Sequence, residues 1–143
     1  MLIDTILKQK GGVVQTVSAE ASLTEAANLL DRARIGAVVA VTPEGDLAGV
    51  LSERDIVRQF ARHGQTAMTM SVSDAMTRGV ITAVPSESVD TCLSRMTDRR
   101  IRHLPIVSDG MLKGIVSIGD LVKYKMDEVA AEAEAMTSYI KSG

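Results

Sequence analysis

Two stretches of the sequence repeat one arrangement of polar side chains. Residues 49–57 read GVLSERDIV, and residues 114–122 read GIVSIGDLV. In each stretch an aspartate follows a serine by three residues, as the pairs Ser52/Asp55 and Ser117/Asp120. A serine hydroxyl and the first N–H groups of a helix favour an anion. An aspartate one turn into the helix can accept two hydrogen bonds, which matches the adjacent 2′ and 3′ hydroxyls of a ribose.

The same serine–aspartate pairs also fit a purely structural role. A serine at the N-cap with a carboxylate three residues later is the signature of a helix start. A motif this short, taken singly, favours capping over ligand binding. Two features favour a ligand: the preceding glycine allows close approach to the backbone, and the duplication creates two related corners. The motif alone does not decide between the two roles.

The doubled phrase ends two longer repeats, Val13 to Val57 and Val80 to Val122. Each repeat begins with a short β-branched run and continues with a helix signal, an aliphatic strand, a turn and a second strand. The segments before them also agree, since IDTILK from Ile3 resembles VSDAMT from Val72. Each unit is therefore predicted to be strand, helix, strand, strand, helix. A unit with two or three strands cannot cover its own apolar face, so the two units should pack together.

The first helix of each unit is predicted from its start signal and its apolar spacing. Ser22 and Glu25 form a capping-box pattern at the first of these helices. The buried faces are then expected to hold Leu23, Ala26, Ala27 and Leu30 in the first repeat and Val89, Cys92, Leu93 and Met96 in the second.

Composition excludes several classes of function. The 143 residues hold 16 Lys and Arg against 18 Asp and Glu, a net charge of −2, and only three aromatic residues. Neither a basic surface nor an aromatic platform for nucleic acid is expected. No apolar run approaches the roughly 18 to 20 residues of a membrane span, and the N-terminus does not read as a secretory signal. The single Cys92 excludes an internal disulfide and fits a reducing compartment, so we expect a cytoplasmic protein.

No pattern in the sequence indicates catalysis or a metal site. We find no paired acid and base, no nucleophile elbow and no P-loop. The two histidines, His63 and His103, have no cysteine or carboxylate at metal-ligand spacing. An enzyme is therefore not expected.

The paired units resemble a tandem of cystathionine β-synthase (CBS) domains, often called a Bateman module. A glycine, two aliphatic residues, Ser or Thr, two variable residues and Asp form that family's nucleotide signature, which occurs twice here. The segments VSDAMT and RIRHLPIV also resemble sequences that are usual in that family. The resemblance spans roughly residues 3–122. It implies a stand-alone regulatory module that binds AMP, ADP, ATP, NADH or S-adenosylmethionine, without a catalytic cofactor. It also implies a homodimer that signals to a partner protein.

The repeat and the resemblance together predict the fold class. It is mixed α/β (α+β), with two tandem β-α-β-β-α repeats packed through their sheets about a pseudo-twofold axis and a C-terminal helix added. The expected boundaries are 1–62 for the first repeat, 63–71 for a linker, 72–124 for the second repeat and 125–143 for the helix. That helix carries one apolar stripe suited to docking on the module or on a second chain: Met126, Val129, Ala133, Met136 and Ile140.

The resemblance further implies that each ligand cleft takes Ser and Asp from one repeat and strands from the other. One site would use Ser52, Arg54, Asp55, Ile81, Ile101, Arg102, His103 and Pro105. The other would use Val14, Ile35, Gly36, Ala37, Ser117 and Asp120.

The two clefts are predicted to differ in charge. The first has donors suited to a phosphate at Arg54, Arg102 and His103. The matching positions of the second are Gly119, Gly36 and Ala37. We therefore predict that the Asp55 cleft takes phosphorylated nucleotides. The Asp120 cleft would stay empty, bind an adenosyl group weakly or borrow cations from a neighbour.

Overall fold

Two small sheets with flanking helices make up the chain, and the mixed α/β class is confirmed. The computed structural model describes residues 1–11 and 14–142; Gly12, Val13 and Gly143, which fall inside the predicted boundaries, lie outside the described residues. The helices are α1 Ile3–Lys10, α2 Leu23–Ala33, α3 Glu53–His63, α4 Val72–Ala75, α5 Val89–Arg99 and α6 Ile118–Ser142. The strands are β1 Thr16–Ser18, β2 Ala37–Val41, β3 Leu47–Ser52, β4 His103–Ser108 and β5 Met111–Ser117, and a 3-10 helix spans Gly64–Thr69.

The two sheets are related but unequal. In the first, β1 pairs parallel with β2, and β2 pairs antiparallel with β3. In the second, β4 and β5 form the same antiparallel hairpin, while the expected first strand is reduced to one parallel bridge between Ala83 and Ile106. The cause lies next to Val84, where Pro85 occupies the position that Ser18 has in the first repeat. Proline has no N–H to donate, so the ladder cannot continue through it.

Each repeat buries its own apolar cluster, and the predicted helix faces point into these clusters. Leu23, Ala26 and Leu30 of α2 lie in the first. Val89, Cys92 and Met96 of α5 lie in the second. Helix α2 begins at the predicted Ser22, whose Oγ accepts the Glu25 N–H at 3.1 Å. Helix α5 begins in the same way at Ser88, whose Oγ accepts the Thr91 N–H at 3.0 Å.

The segments that precede the two repeats are exchanged between the cores. Helix α1 belongs to the second core through Ile3 and Ile6, and the Ile3 N–H donates to Glu87 O at 2.9 Å. Helix α4 belongs to the first core through Val72 and Ala75, and the Val72 N–H donates to Ala21 O at 2.8 Å. The predicted segments 1–62 and 72–124 therefore follow the sequence repeat. Each core, however, takes its first helix from the other segment, since α4 packs in the first core and α1 in the second.

Helix α6 continues without a break from the second repeat into the C-terminal region. Leu121 is fully buried near its start. The apolar stripe beyond it is exposed, with Met126 65% and Ile140 71% accessible. Docking of this stripe on its own module, one of the two expected arrangements, is therefore not observed.

Candidate functional site

Both serine–aspartate corners form reciprocal caps at the start of a helix. At α3, Ser52 Oγ accepts the Asp55 N–H at 3.3 Å, and Asp55 Oδ2 accepts the Ser52 N–H at 2.9 Å. At α6, the corresponding distances between Ser117 and Asp120 are 3.0 and 2.8 Å. The local role expected from the sequence is thus present at both corners. Capping leaves each carboxylate with further acceptor capacity.

The cap alone does not explain where these two corners lie. Ser71 and Asp74 form a third cap of the same kind at α4, with both bonds at 3.2 Å. That corner lies at neither of the two clefts described below. The other two corners each open into a cleft between the repeats.

The Asp55 cleft has a volume of about 490 Å³, within the range of roughly 300–1,000 Å³ that is usual for small-molecule sites. The predicted residues that line it are Ser52, Arg54, Asp55, Ile81, Ile101, Arg102 and His103. Further residues of its lining include Glu53, Arg58, Thr77, Gly79, Val80 and Arg100. Serine and aspartate therefore come from the first repeat, and most of the facing wall comes from the second.

The Asp120 cleft is smaller, about 360 Å³. All six residues predicted for it line the cavity: Val14, Ile35, Gly36, Ala37, Ser117 and Asp120. Residues not predicted from the sequence also line it: Leu7, Lys10, Arg34, Lys113, Gly114 and Ile115. The arrangement mirrors the first cleft, since the corner now comes from the second repeat and the facing wall from the first.

Pro105 is the one predicted site residue that lines neither cleft. It is buried in β4, two residues beyond His103. Its carbonyl accepts the Ala83 N–H at 3.1 Å, so Pro105 faces the short bridge of the second sheet.

Gly36 and His103 line both cavities, so the clefts adjoin each other. The contact across the pseudo-twofold axis is close: His103 Nε2 lies 3.9 Å from the position that a Cβ on Gly36 would occupy. Burial lowers the pKa of His103; Asp120 acts in the opposite direction, while Lys10 and Arg102 add to the lowering. A lowered pKa favours the neutral imidazole, which can offer one donor and one acceptor between the two clefts.

Both clefts hold cationic side chains, including the cleft whose repeat-equivalent positions lack them. Beside Arg54 and Arg102, the Asp55 cleft holds Arg58 and Arg100. The Asp120 cleft holds Lys10, Arg34 and Lys113, none of which occupies a position equivalent to Arg54, Arg102 or His103. Arg34 and Arg100 are repeat equivalents: both end their helices in the left-handed conformation, with φ of 54° and 55°.

Each aspartate in a cleft is also paired with a cation. Asp55 is buried and its Oδ1 accepts Arg58 Nη1 at 3.2 Å. Asp120 Oδ2 accepts Lys10 Nζ at 2.6 Å. Burial alone would raise the pKa of Asp120, but the hydrogen bonds from Lys10 and Ser117 outweigh burial, and its pKa is lowered. Asp120 is therefore ionised and acts as an acceptor at neutral pH.

Two other kinds of site are not found in the described part of the chain. Among residues 1–11 and 14–142, no cluster of three or more His, Cys, Asp or Glu side chains is arranged to hold a metal ion. Within the same residues, no helix has the length and apolarity needed to cross a membrane.

The CBS domain pattern matches residues 13–62 and 72–127, one match for each repeat. The chain belongs to the CBS domain family. A mitochondrial CBS domain-containing protein of Arabidopsis thaliana is 32% identical over 149 residues, covering 99% of this chain and 72% of that protein. The crystal structure of a CBS-domain containing protein from Agrobacterium tumefaciens superposes with a TM-score of 0.82 at 39% identity, over 87% of this chain and 92% of that one.

Two further CBS structures contain adenosine compounds. A CBS domain pair solved in complex with 5′-methylthioadenosine and S-adenosyl-L-methionine is 29% identical, with a TM-score of 0.78 over 90% of this chain and 98% of that one. A CBS domain protein from Pyrobaculum aerophilum complexed with AMP is 26% identical, with a TM-score of 0.75 over 84% of this chain and 89% of that one. The present chain shares the tandem CBS architecture with both.

Proposed function

We propose that this CBS pair binds adenosine-bearing ligands in its two clefts and transmits their presence to a partner protein. The observation that carries the proposal is the position of the two corners. Asp55 and Asp120 each open into a cleft whose other wall comes from the opposite repeat. The complexes of related CBS proteins with AMP and with S-adenosyl-L-methionine support the same ligand class.

Each cleft offers the three kinds of contact that a nucleotide needs. The capped aspartate can accept hydrogen bonds from ribose hydroxyls. Aliphatic side chains, such as Ile81 and Ile101 in one cleft and Ile35 and Ile115 in the other, form an apolar wall for adenine. The arginines of the Asp55 cleft, and the two lysines and one arginine of the Asp120 cleft, attract phosphate. AMP, ADP, ATP and NADH satisfy all three requirements, and S-adenosylmethionine satisfies the first two.

Thermal unfolding tests the proposal directly. A ligand present at 100 times its Kd stabilises the folded state by about 2.7 kcal/mol if it does not bind the unfolded chain. For a chain of this size, we expect the midpoint to rise by roughly 5 to 10 °C. The measurement is a set of melting curves with millimolar AMP, ADP, ATP, NADH and S-adenosylmethionine, with sodium sulfate at equal ionic strength as the control.

The alternative function is an interaction scaffold in which both corners only cap helices. The reciprocal bonds at Ser52/Asp55 and Ser117/Asp120 are the observation that favours it. Unchanged midpoints with all five ligands would support the scaffold and reject the proposed sensor.

Signalling requires that the ligand have different affinities for two states of the protein. The two clefts lie between the repeats, so a bound nucleotide would contact both and bias their relative position. The regulated protein would then recognise that position.

A cytoplasmic location is also part of the proposal, since Cys92 is free and buried and a cytoplasmic chain needs no disulfide.

Homodimer formation is also part of the proposed function. Val57 and Phe60 on α3 are 66% and 40% exposed, and Val122 and Met126 on α6 are 43% and 65% exposed. Val57 and Val122 are repeat equivalents, so the two apolar faces are related by the pseudo-twofold axis. A second copy can cover both faces in one symmetric interface.

Val57→Lys is expected to raise the dimer dissociation constant by at least about tenfold, because burying a valine side chain contributes about 1.5 kcal/mol or more. Sedimentation velocity over a concentration series measures the change. Met111→Lys is the matched control, because Met111 is 63% exposed but lies at the hairpin of the second sheet. A monomeric wild-type protein, or equal dissociation constants for Val57→Lys and wild type, would contradict this assembly.

A further inference from the structure

Lys10 reaches from the N-terminal helix into the Asp120 cleft. Its Nζ lies 2.6 Å from Asp120 Oδ2 and 3.1 Å from the carbonyl oxygen of Ile115. The side chains of Lys10 and Asp120 are 41% and 30% exposed, so the pair lies at the cavity wall. Helix α1 is held in this position because Ile3 and Ile6 are buried in the second core.

Among the residues that the structure describes, none places an equivalent lysine in the other cleft. Aligning IDTILKQK from Ile3 with VSDAMTRG from Val72 places Lys10 opposite Gly79. The alignment agrees with the packing, because Leu7 contacts Gly114 as Met76 contacts Gly49. Gly79 lines the Asp55 cleft without a side chain, and Asp55 pairs with Arg58 of its own helix. Lys10 therefore distinguishes the Asp120 cleft from the Asp55 cleft, because the second copy of the repeat has no lysine at the equivalent position.

A ligand that binds Asp120 must break the ion pair between Lys10 and Asp120, which costs free energy. Ribose hydroxyls compete with Lys10 for the carboxylate and leave the ammonium group short of an acceptor. A partly desolvated charge that loses its partner is unfavourable. An anionic group on the same ligand can replace the carboxylate as the partner of Lys10, whereas an uncharged 5′ group cannot.

We propose that Lys10 is the specificity-determining residue of the Asp120 cleft and selects nucleotides with an anionic 5′ group over uncharged adenosyl compounds. This inference rests on the proposed function, since it assumes that adenosine-bearing ligands enter the cleft. Arg34 and Lys113 lie at the same cleft and add positive potential. Of the three outcomes that the sequence leaves open for this cleft, the proposal is nearest to the one in which the cleft obtains cations from elsewhere.

The test is a pair of site-resolved NMR titrations with AMP and with adenosine. The backbone amides of Gly114 and Ile115 report the Asp120 cleft, and those of Thr77 and Gly79 report the Asp55 cleft. In the Asp120 cleft, Lys10→Gln is expected to weaken AMP binding and strengthen adenosine binding. The ratio of the two affinities should fall by about tenfold or more, the effect of one hydrogen bond to a charged group.

Three comparisons isolate the effect of Lys10. Lys10→Arg keeps the charge and should keep the preference for AMP. Lys8→Gln should match wild type, because Lys8 lies on the same helix, pairs with Asp4 at 3.0 Å and lines neither cleft. The ratio measured in the Asp55 cleft should be the same in all variants.

The outcomes separate this inference from the function on which it rests. If neither ligand shifts the amides of either cleft in the wild-type protein, the proposed function is overturned, and this inference with it. If both ligands bind and Lys10→Gln leaves their affinity ratio in the Asp120 cleft unchanged, only the role of Lys10 is overturned.

Discussion

Asp55→Ala is expected to weaken AMP binding in the Asp55 cleft about 100-fold. The variant removes the acceptor proposed for two ribose hydroxyls, and each hydrogen bond to a charged group is worth about 1.5 kcal/mol or more. A total of about 3 kcal/mol corresponds to roughly two orders of magnitude in Kd. Isothermal titration calorimetry with AMP measures the loss.

The matched control for this variant is Asp74→Ala. Asp74 forms the same reciprocal cap with Ser71 that Asp55 forms with Ser52, but it lies at neither cleft. Losing a cap costs about 1 kcal/mol of stability, so a lower melting midpoint is expected in both variants. Only Asp55→Ala should lose affinity for AMP. Equal affinities of the two variants for AMP would show that Asp55 acts only as a helix cap.

Asp120→Ala extends the same measurement to the second cleft. Because its repeat-equivalent positions lack cations, the sequence leaves three outcomes for this cleft: it stays empty, binds an adenosyl group weakly or borrows cations from a neighbour. The structure supplies cations from elsewhere, at Lys10, Arg34 and Lys113. We therefore expect losses of similar size for Asp55→Ala and Asp120→Ala, and a much smaller loss for Asp120→Ala would restore the asymmetry predicted from the sequence.

The sequence was sufficient for the features that depend on local spacing. The apolar faces of α2 and α5 follow from a period of 3.6 residues, and both are buried as predicted except at Ala27 and Leu93, which are partly buried against the same clusters. The helix starts at Ser52 and Ser117 follow from the capping pattern, and the repeat itself placed these two corners in related clefts. These features need only contacts between residues that are close in the chain, or a symmetry that the sequence displays.

Features that depend on distant contacts were missed. The bond between Lys10 and Asp120 joins residues 110 positions apart, and no periodic pattern records it. The exchange of α1 and α4 between the cores is of the same kind, because a helix with one apolar face fits either core by composition. Arg34 was missed for another reason: its equivalence to Arg100 is visible in the repeat, but an arginine at a helix end reads as a solvated charge.

Gly49→Ala is expected to lower the free energy of unfolding by about 3 kcal/mol, at the upper end of the usual cost of overpacking. A Cβ at this position would lie 2.6 Å from the carbonyl oxygen of Thr77 and 2.8 Å from the sulfur of Met76. The Thr77 carbonyl cannot retreat easily, because the Thr77 N–H donates to Val50 O at 2.9 Å and the Val50 N–H donates to Thr77 O at 3.1 Å. Equilibrium unfolding in urea, followed by circular dichroism, measures the change.

Gly114→Ala tests whether the backbone contact is the cause. Its Cβ would meet only the end of the Leu7 side chain, at 2.7 Å from Cδ2, and a leucine can change rotamer. The expected loss is about 1 kcal/mol or less, because alanine also recovers about 0.5 kcal/mol of the entropy that glycine loses in a strand. Neither glycine has a positive φ, so backbone strain cannot separate the two variants. Equal losses at Gly49 and Gly114 would show that the contact with the Thr77 carbonyl is not the cause of the destabilisation at Gly49.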